Sequence, residues 1–92
     1  MLLTLPALAQ LGEGAVGKGN ELYRQGQFDV AERQYKLALQ KNDADVIARY
    51  NLGNALYQQK KYKEAESLYE RAQTIIELNY GKEDHRLALT LH

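Results

Sequence analysis

Two trios of side chains offer the chain's best means of recognition. Val16, Asn20 and Tyr23 are spaced four and three residues apart, and Tyr50, Asn54 and Tyr57 repeat that spacing 34 residues later. Such spacing puts each trio on one face of a helix. Asparagine carries both donor and acceptor groups, so it can pair with the backbone of an extended peptide. Tyrosine adds flat contact area with a polar tip and little rotamer entropy to lose. Arg24 and Gln58 flank the trios, and Asn51 lies beside Tyr50. The alternative is a solvated polar face. Repetition in phase and the enrichment of tyrosine at interfaces favour binding.

Other chemistries have little support. There are two histidines, and His92 is the last residue. Glu83, Asp84 and His85 are consecutive and would not converge on one metal ion from a helix start, so they read as a solvated turn. Gly12, Gly14, Gly17 and Gly19 make no dinucleotide fingerprint, and no strand precedes them. Without a convergent site, the chain reads as a non-enzyme with no cofactor. Twelve basic and twelve acidic residues are well mixed. That argues against nucleic acid, whose binding needs a concentrated basic surface. The absence of cysteine excludes disulfides and thiolate metal sites and leaves the compartment open. No apolar run approaches the roughly 18 to 20 residues needed to span a bilayer.

The elements that must position the trios follow from a repeat. Gly19, Asn20, Leu22, Tyr23, Gln25, Ala31, Glu32, Tyr35 and Ala38 each recur 34 residues later, from Gly53 to Ala72. A fixed period of this length marks a stacked-repeat architecture, in which neighbours bury a shared core. The fold class is all-α, a helix-turn-helix repeat stack with two full repeats and the start of a third. Helices are expected over about 12–25, 28–40, 44–59 and from 62 to about 80. Phe28, Ala31, Tyr35 and Ala38 form one stripe, and Tyr62, Ala65, Tyr69, Ala72 and Ile76 form another. The small alanines let paired helices approach closely. Gly19 and Gly53 should mark close crossings, Gly26 should stop the first helix, and Asn42-Asp43 should cap the third. Gly12, Gly14 and Gly17 suggest a frayed beginning.

The second unit reads Arg49-Tyr50-Asn51-Leu52-Gly53-Asn54-Ala55-Leu56, then Ala65 and Tyr69; the first reads Ala15 to Leu22, then Ala31 and Tyr35. This resembles the tetratricopeptide repeat pattern W-x2-L-G-x2-Y, A-x3-F, P. The resemblance implies a protein-binding module whose first helices line a concave surface carrying Val16, Asn20, Tyr23, Arg24, Tyr50, Asn51, Asn54, Tyr57 and Gln58. Some family members clamp the terminal carboxylate of chaperones, and Asn20 and Asn51 match two clamp asparagines. Val16 stands where the first clamp lysine falls, which disfavours that ligand, since a carboxylate needs charged donors. The stretch from Tyr69-Glu70-Arg71-Ala72 through Gly81 to Asp84-His85-Arg86 resembles the longer repeats of kinesin light chains.

Residues 1–10 are apolar and uncharged, with Ala7-Leu8-Ala9 in the form of a secretory cleavage site. They read as a signal-peptide remnant, implying a bacterial periplasmic or secreted protein, or as a short apolar helix on the first repeat, which leaves the cytoplasm open. The repeat domain covers 11–92, with repeats at about 12–45 and 46–81 and a partial third at 82–92. Its expected partner is a peptide or protein. The alternative is a scaffold whose open ends, with Ile75 and Leu87–Leu91 as an unfinished layer, join copies into homo-oligomers.

Overall fold

Four helices follow in chain order: α1 (Thr4–Arg24), α2 (Phe28–Lys41), α3 (Val46–Gln58) and α4 (Tyr62–Tyr80). The computed structural model describes the backbone of residues 4–80 and the side chains of residues 14–79. No strand occurs among the described residues. Each helix packs on the next, and α1 also touches α3. Connections of three or four residues force this neighbour-on-neighbour order. No helix among the described residues is long and apolar enough to cross a membrane.

The core is built from small residues around Tyr35, Leu52 and Leu56. Ala31, Tyr35, Leu52, Ala55, Leu56 and Ala65 form one buried cluster, and Ala15, Ala38 and Ala48 form a second. Alanine faces let the helices close together, and the Tyr35 and Leu56 side chains fill the space between layers. Gly19 and Gly53 serve ring packing. A Cβ on Gly19 would fall 2.5 Å from Cε1 of Tyr35, and one on Gly53 would fall 2.5 Å from Cε1 of Tyr69.

The turns repeat as well. Gly26 takes φ 80°, and Lys60, 34 residues on, takes φ 66°. In both repeats the next residue's N–H reaches back across the turn, Gln27 to the Leu22 carbonyl and Lys61 to the Leu56 carbonyl, each at 2.9 Å. That is the helix stop in which a left-handed residue turns the chain.

Two expectations need correction. The first helix starts at Thr4 rather than near 12, and it runs through Gly12, Gly14 and Gly17 without a break. Pro6 does not oppose this start, because first-turn N–H groups have no partner within the helix. The third helix starts at Val46, and its cap is Asp45, which accepts the Ala48 N–H at 3.0 Å. Asn42 instead accepts the Ala44 N–H, and Asp43 receives the Arg49 guanidinium. The fourth helix does extend to Tyr80. The side chains of the signal-like segment lie outside the described residues. So do the partial third repeat, the Glu83-Asp84-His85 turn and the Leu87–Leu91 layer.

Candidate binding face

The face built by α1 and α3 begins with the two glycines. Because Gly19 has no side chain, the Tyr35 ring crosses over it. The ring's hydroxyl then donates to Oδ1 of Asn20 at 2.6 Å. Tyr69 does the same over Gly53, donating to Oδ1 of Asn54 at 2.6 Å. A buried tyrosine must find a partner for its hydroxyl, and this pair supplies it. Asn51 Nδ2 also donates to Asn20 Oδ1, at 3.1 Å, which ties α3 to α1. Further along, Gln58 Nε2 donates to the Tyr23 hydroxyl at 3.3 Å.

Asn20, Tyr23, Arg24, Asn51 and Asn54 converge with Tyr35 around one hollow of about 130 Å³. These five belong to the nine residues expected at the face. The other four lie differently. Val16 is half-buried and packs on the Ala15, Ala38 and Ala48 cluster. Tyr50 leans on Tyr69 with ring centroids 5.7 Å apart. Tyr57 meets Tyr62 edge-on at 4.9 Å, as Tyr23 meets Phe28 at 5.0 Å one repeat earlier. Gln58 is exposed and bridges the repeats.

The face is polar and weakly charged. Arg24 is its nearest cation and already pairs with Glu21 at 2.7 Å. The hydrogen bond from Arg24, followed by its charge, holds the Glu21 carboxyl below its ordinary value. Burial pushes the Tyr35 and Tyr69 hydroxyls above theirs, so both remain neutral donors at physiological pH.

The part played by Tyr35 and Tyr69 was missed in the sequence, where their stripe reads as core. The available signal was tyrosine in place of the phenylalanine of A-x3-F, because a buried hydroxyl needs a partner. Two buried polar residues also escaped notice. Arg49, 5% exposed, donates to the Asp43 carbonyl at 2.8 and 3.1 Å and to its carboxylate at 2.6 Å. Glu32 accepts from Gln59 Nε2 and Lys36 Nζ, both at 2.8 Å. Burial raises the Glu32 pKa, but the bonds from Lys36 and Gln59 and the charges of Lys36 and Lys61 outweigh it. Its carboxyl therefore sits below the ordinary value.

Comparison with known proteins agrees with this architecture. Part of the chain is 40% identical over 48 residues to the Hsp70-Hsp90 organising protein of Plasmodium falciparum (isolate 3D7). That match covers 52% of this chain and 8% of the relative. No solved structure matches. The family and this relative point to a non-catalytic interaction module. Residues 16–79 match the tetratricopeptide repeat model across both helix pairs, and the chain belongs to the tetratricopeptide repeat family, whose domains generally mediate protein–protein interactions.

Proposed function

We propose that the chain binds an extended peptide segment of a protein partner on the face built by α1 and α3. The observation that carries this reading is the pair of oriented asparagines. Tyrosine hydroxyls occupy Oδ1 of Asn20 and of Asn54, and no other described residue engages either Nδ2. Each amide is thus held in place with a donor left for a peptide carbonyl, so little ordering entropy remains to be lost on binding. Tyr23, Arg24 and Gln58 supply contact area and further polar groups beside it. A terminal carboxylate fits less well. Val16 is apolar and packed inward, and Arg24 is already paired with Glu21.

The test is selection of peptides from a displayed random library, followed by affinity measurement on Asn51→Ala. That change removes one amide from the hollow and leaves each tyrosine hydroxyl its acceptor. One net hydrogen bond is about 0.5–1.5 kcal/mol, so affinity should fall roughly twofold to tenfold. Equal affinity for the variant and the parent would place the peptide elsewhere.

A further inference from the structure

Hydrogen bonds between α1 and α3 fix which residues face each other along their seam. Asn51 Nδ2 donates to Asn20 Oδ1 at 3.1 Å, and Gln58 Nε2 donates to the Tyr23 hydroxyl at 3.3 Å. One turn before the asparagine pair stand Val16 on α1 and Ile47 on α3. The packing agrees with this placement, since Val16 lies against the cluster that holds Ala48, the residue after Ile47. The seam therefore begins in an aliphatic pair and continues in amides and a phenol.

Ile47 is 65% exposed, and Tyr50, one turn further along α3, is 37% exposed. A single exposed hydrophobic is ordinary on a protein surface. This one extends the α1/α3 face, and the charges described on the two helices lie elsewhere. Lys18 and Glu21 are the counterparts of Leu52 and Ala55, which α3 turns toward α2, the helix before it. On α1 that flank looks away from α3. Arg24 lies at the far end of α1 and pairs with Glu21. Arg49 is buried and bonded to Asp43, and Asp45 is occupied in capping α3. A charged ligand group set on Val16 and Ile47 would lose its water with no counter-charge to replace it. An aliphatic side chain would gain from the same burial.

We infer that Val16 and Ile47 form an anchoring subsite that takes one aliphatic side chain of the bound peptide: leucine, isoleucine, valine or methionine. This rests on the peptide reading of the α1/α3 face and gives that peptide a sequence preference. Four residues of helix separate Val16 from Asn20, a rise of about 6 Å. An extended chain covers that distance in about two residues. The anchor therefore sits at one fixed position, within about two residues of the carbonyl that the asparagines hold.

The experiment selects peptides from a displayed random library on the parent chain. A selected peptide is then titrated into protein carrying ¹⁵N and ¹³C-methyl isoleucine. Isoleucine occurs at positions 47, 75 and 76. The Ile47 methyl should shift saturably together with the side-chain amides of Asn20, Asn51 and Asn54, while Ile75 and Ile76 stay unmoved. The selected sequences should share an aliphatic residue at one position. Ile47→Ala should weaken binding about fivefold to twentyfold. The variant should keep its fold, because Ile47 is exposed and alanine favours a helix. Truncating the peptide's aliphatic residue to alanine should cost the parent a similar factor and the Ile47→Ala chain much less, as for two groups in contact. Peptides that move the asparagine amides but share no aliphatic position, or that bind Ile47→Ala as tightly as the parent, would overturn this inference and leave the peptide reading standing. Peptides that leave those amides unmoved would overturn both.

Discussion

Gly19→Ala and Gly53→Ala make the same local change in two different enclosures. In each, the new Cβ would lie 2.5 Å from a tyrosine Cε1, about 1 Å inside ordinary contact, so the ring must move. Tyr69 has room, because it is half-buried and borders the open groove at the α4 end. Tyr35 has none, being 1% exposed beneath α3. Overpacking a closed core costs about 1–3 kcal/mol, and pulling the hydroxyl off Asn20 adds about 0.5–1.5 kcal/mol. Against this, alanine gains roughly 0.8–1.0 kcal/mol over glycine inside a helix. Gly19→Ala should therefore lose about 0.5–3.7 kcal/mol net, whereas Gly53→Ala should lose less than Gly19→Ala and no more than about 1 kcal/mol. In a domain of this size each kcal/mol lowers Tm by about 4–8 °C. Urea unfolding followed by circular dichroism reads both values. Equal losses, or a larger loss at Gly53, would refute the argument that α3 locks the Tyr35 ring.

Three other expectations follow from the turns and buried charges. Lys60 holds a left-handed backbone that glycine adopts freely, so Lys60→Gly should raise stability by up to about 1 kcal/mol in the same urea assay. Arg49→Met should cost about 1–3 kcal/mol, because its guanidinium ties down the Asp43 carbonyl. Asp43→Ala should cost less than about 1 kcal/mol, since that carboxylate is 80% exposed and the carbonyl remains. The Glu32 pKa is lowered by folding, so its stabilising effect is complete above the unfolded value near 4.5 and is lost as pH falls through the folded value. Glu32→Gln should accordingly flatten the acid limb of a stability-versus-pH curve while lowering stability at neutral pH.

The fold was legible where chemistry repeats. Gly19 with Tyr35 and Gly53 with Tyr69 stand at equal offsets, and a glycine facing an aromatic ring leaves few alternatives to close packing. The start of α1 was not legible, because residues 1–10 carry no charge and no strong cap and glycines follow them. Asn42, Asp43 and Asp45 are all good capping types. Composition could not choose among them, and the choice fell to the buried Arg49, which holds Asp43 away from the helix end. Arginine is rarely buried unless paired, and its partner here is mainly a backbone carbonyl, which no side-chain pattern reveals. In the structure Asn20, Tyr23 and Asn54, which helical spacing groups together, line one hollow. The same spacing added Val16, whose apolar side chain goes to the alanine cluster instead. The bond from Gln59 to Glu32 spans 27 positions, and local periodicity holds no record of such a pair.

The account rests on the α1/α3 face as the place where a partner peptide lies. The most direct measurement is amide and side-chain amide shift mapping of the ¹⁵N-labelled chain with a peptide selected from a displayed library. The account predicts saturable shifts at the Nδ2 groups of Asn20, Asn51 and Asn54 and at the backbone of Tyr23 and Arg24, with α2 and α4 little changed. Shifts that leave those three amides untouched and cluster on the α2 or α4 surface would contradict it.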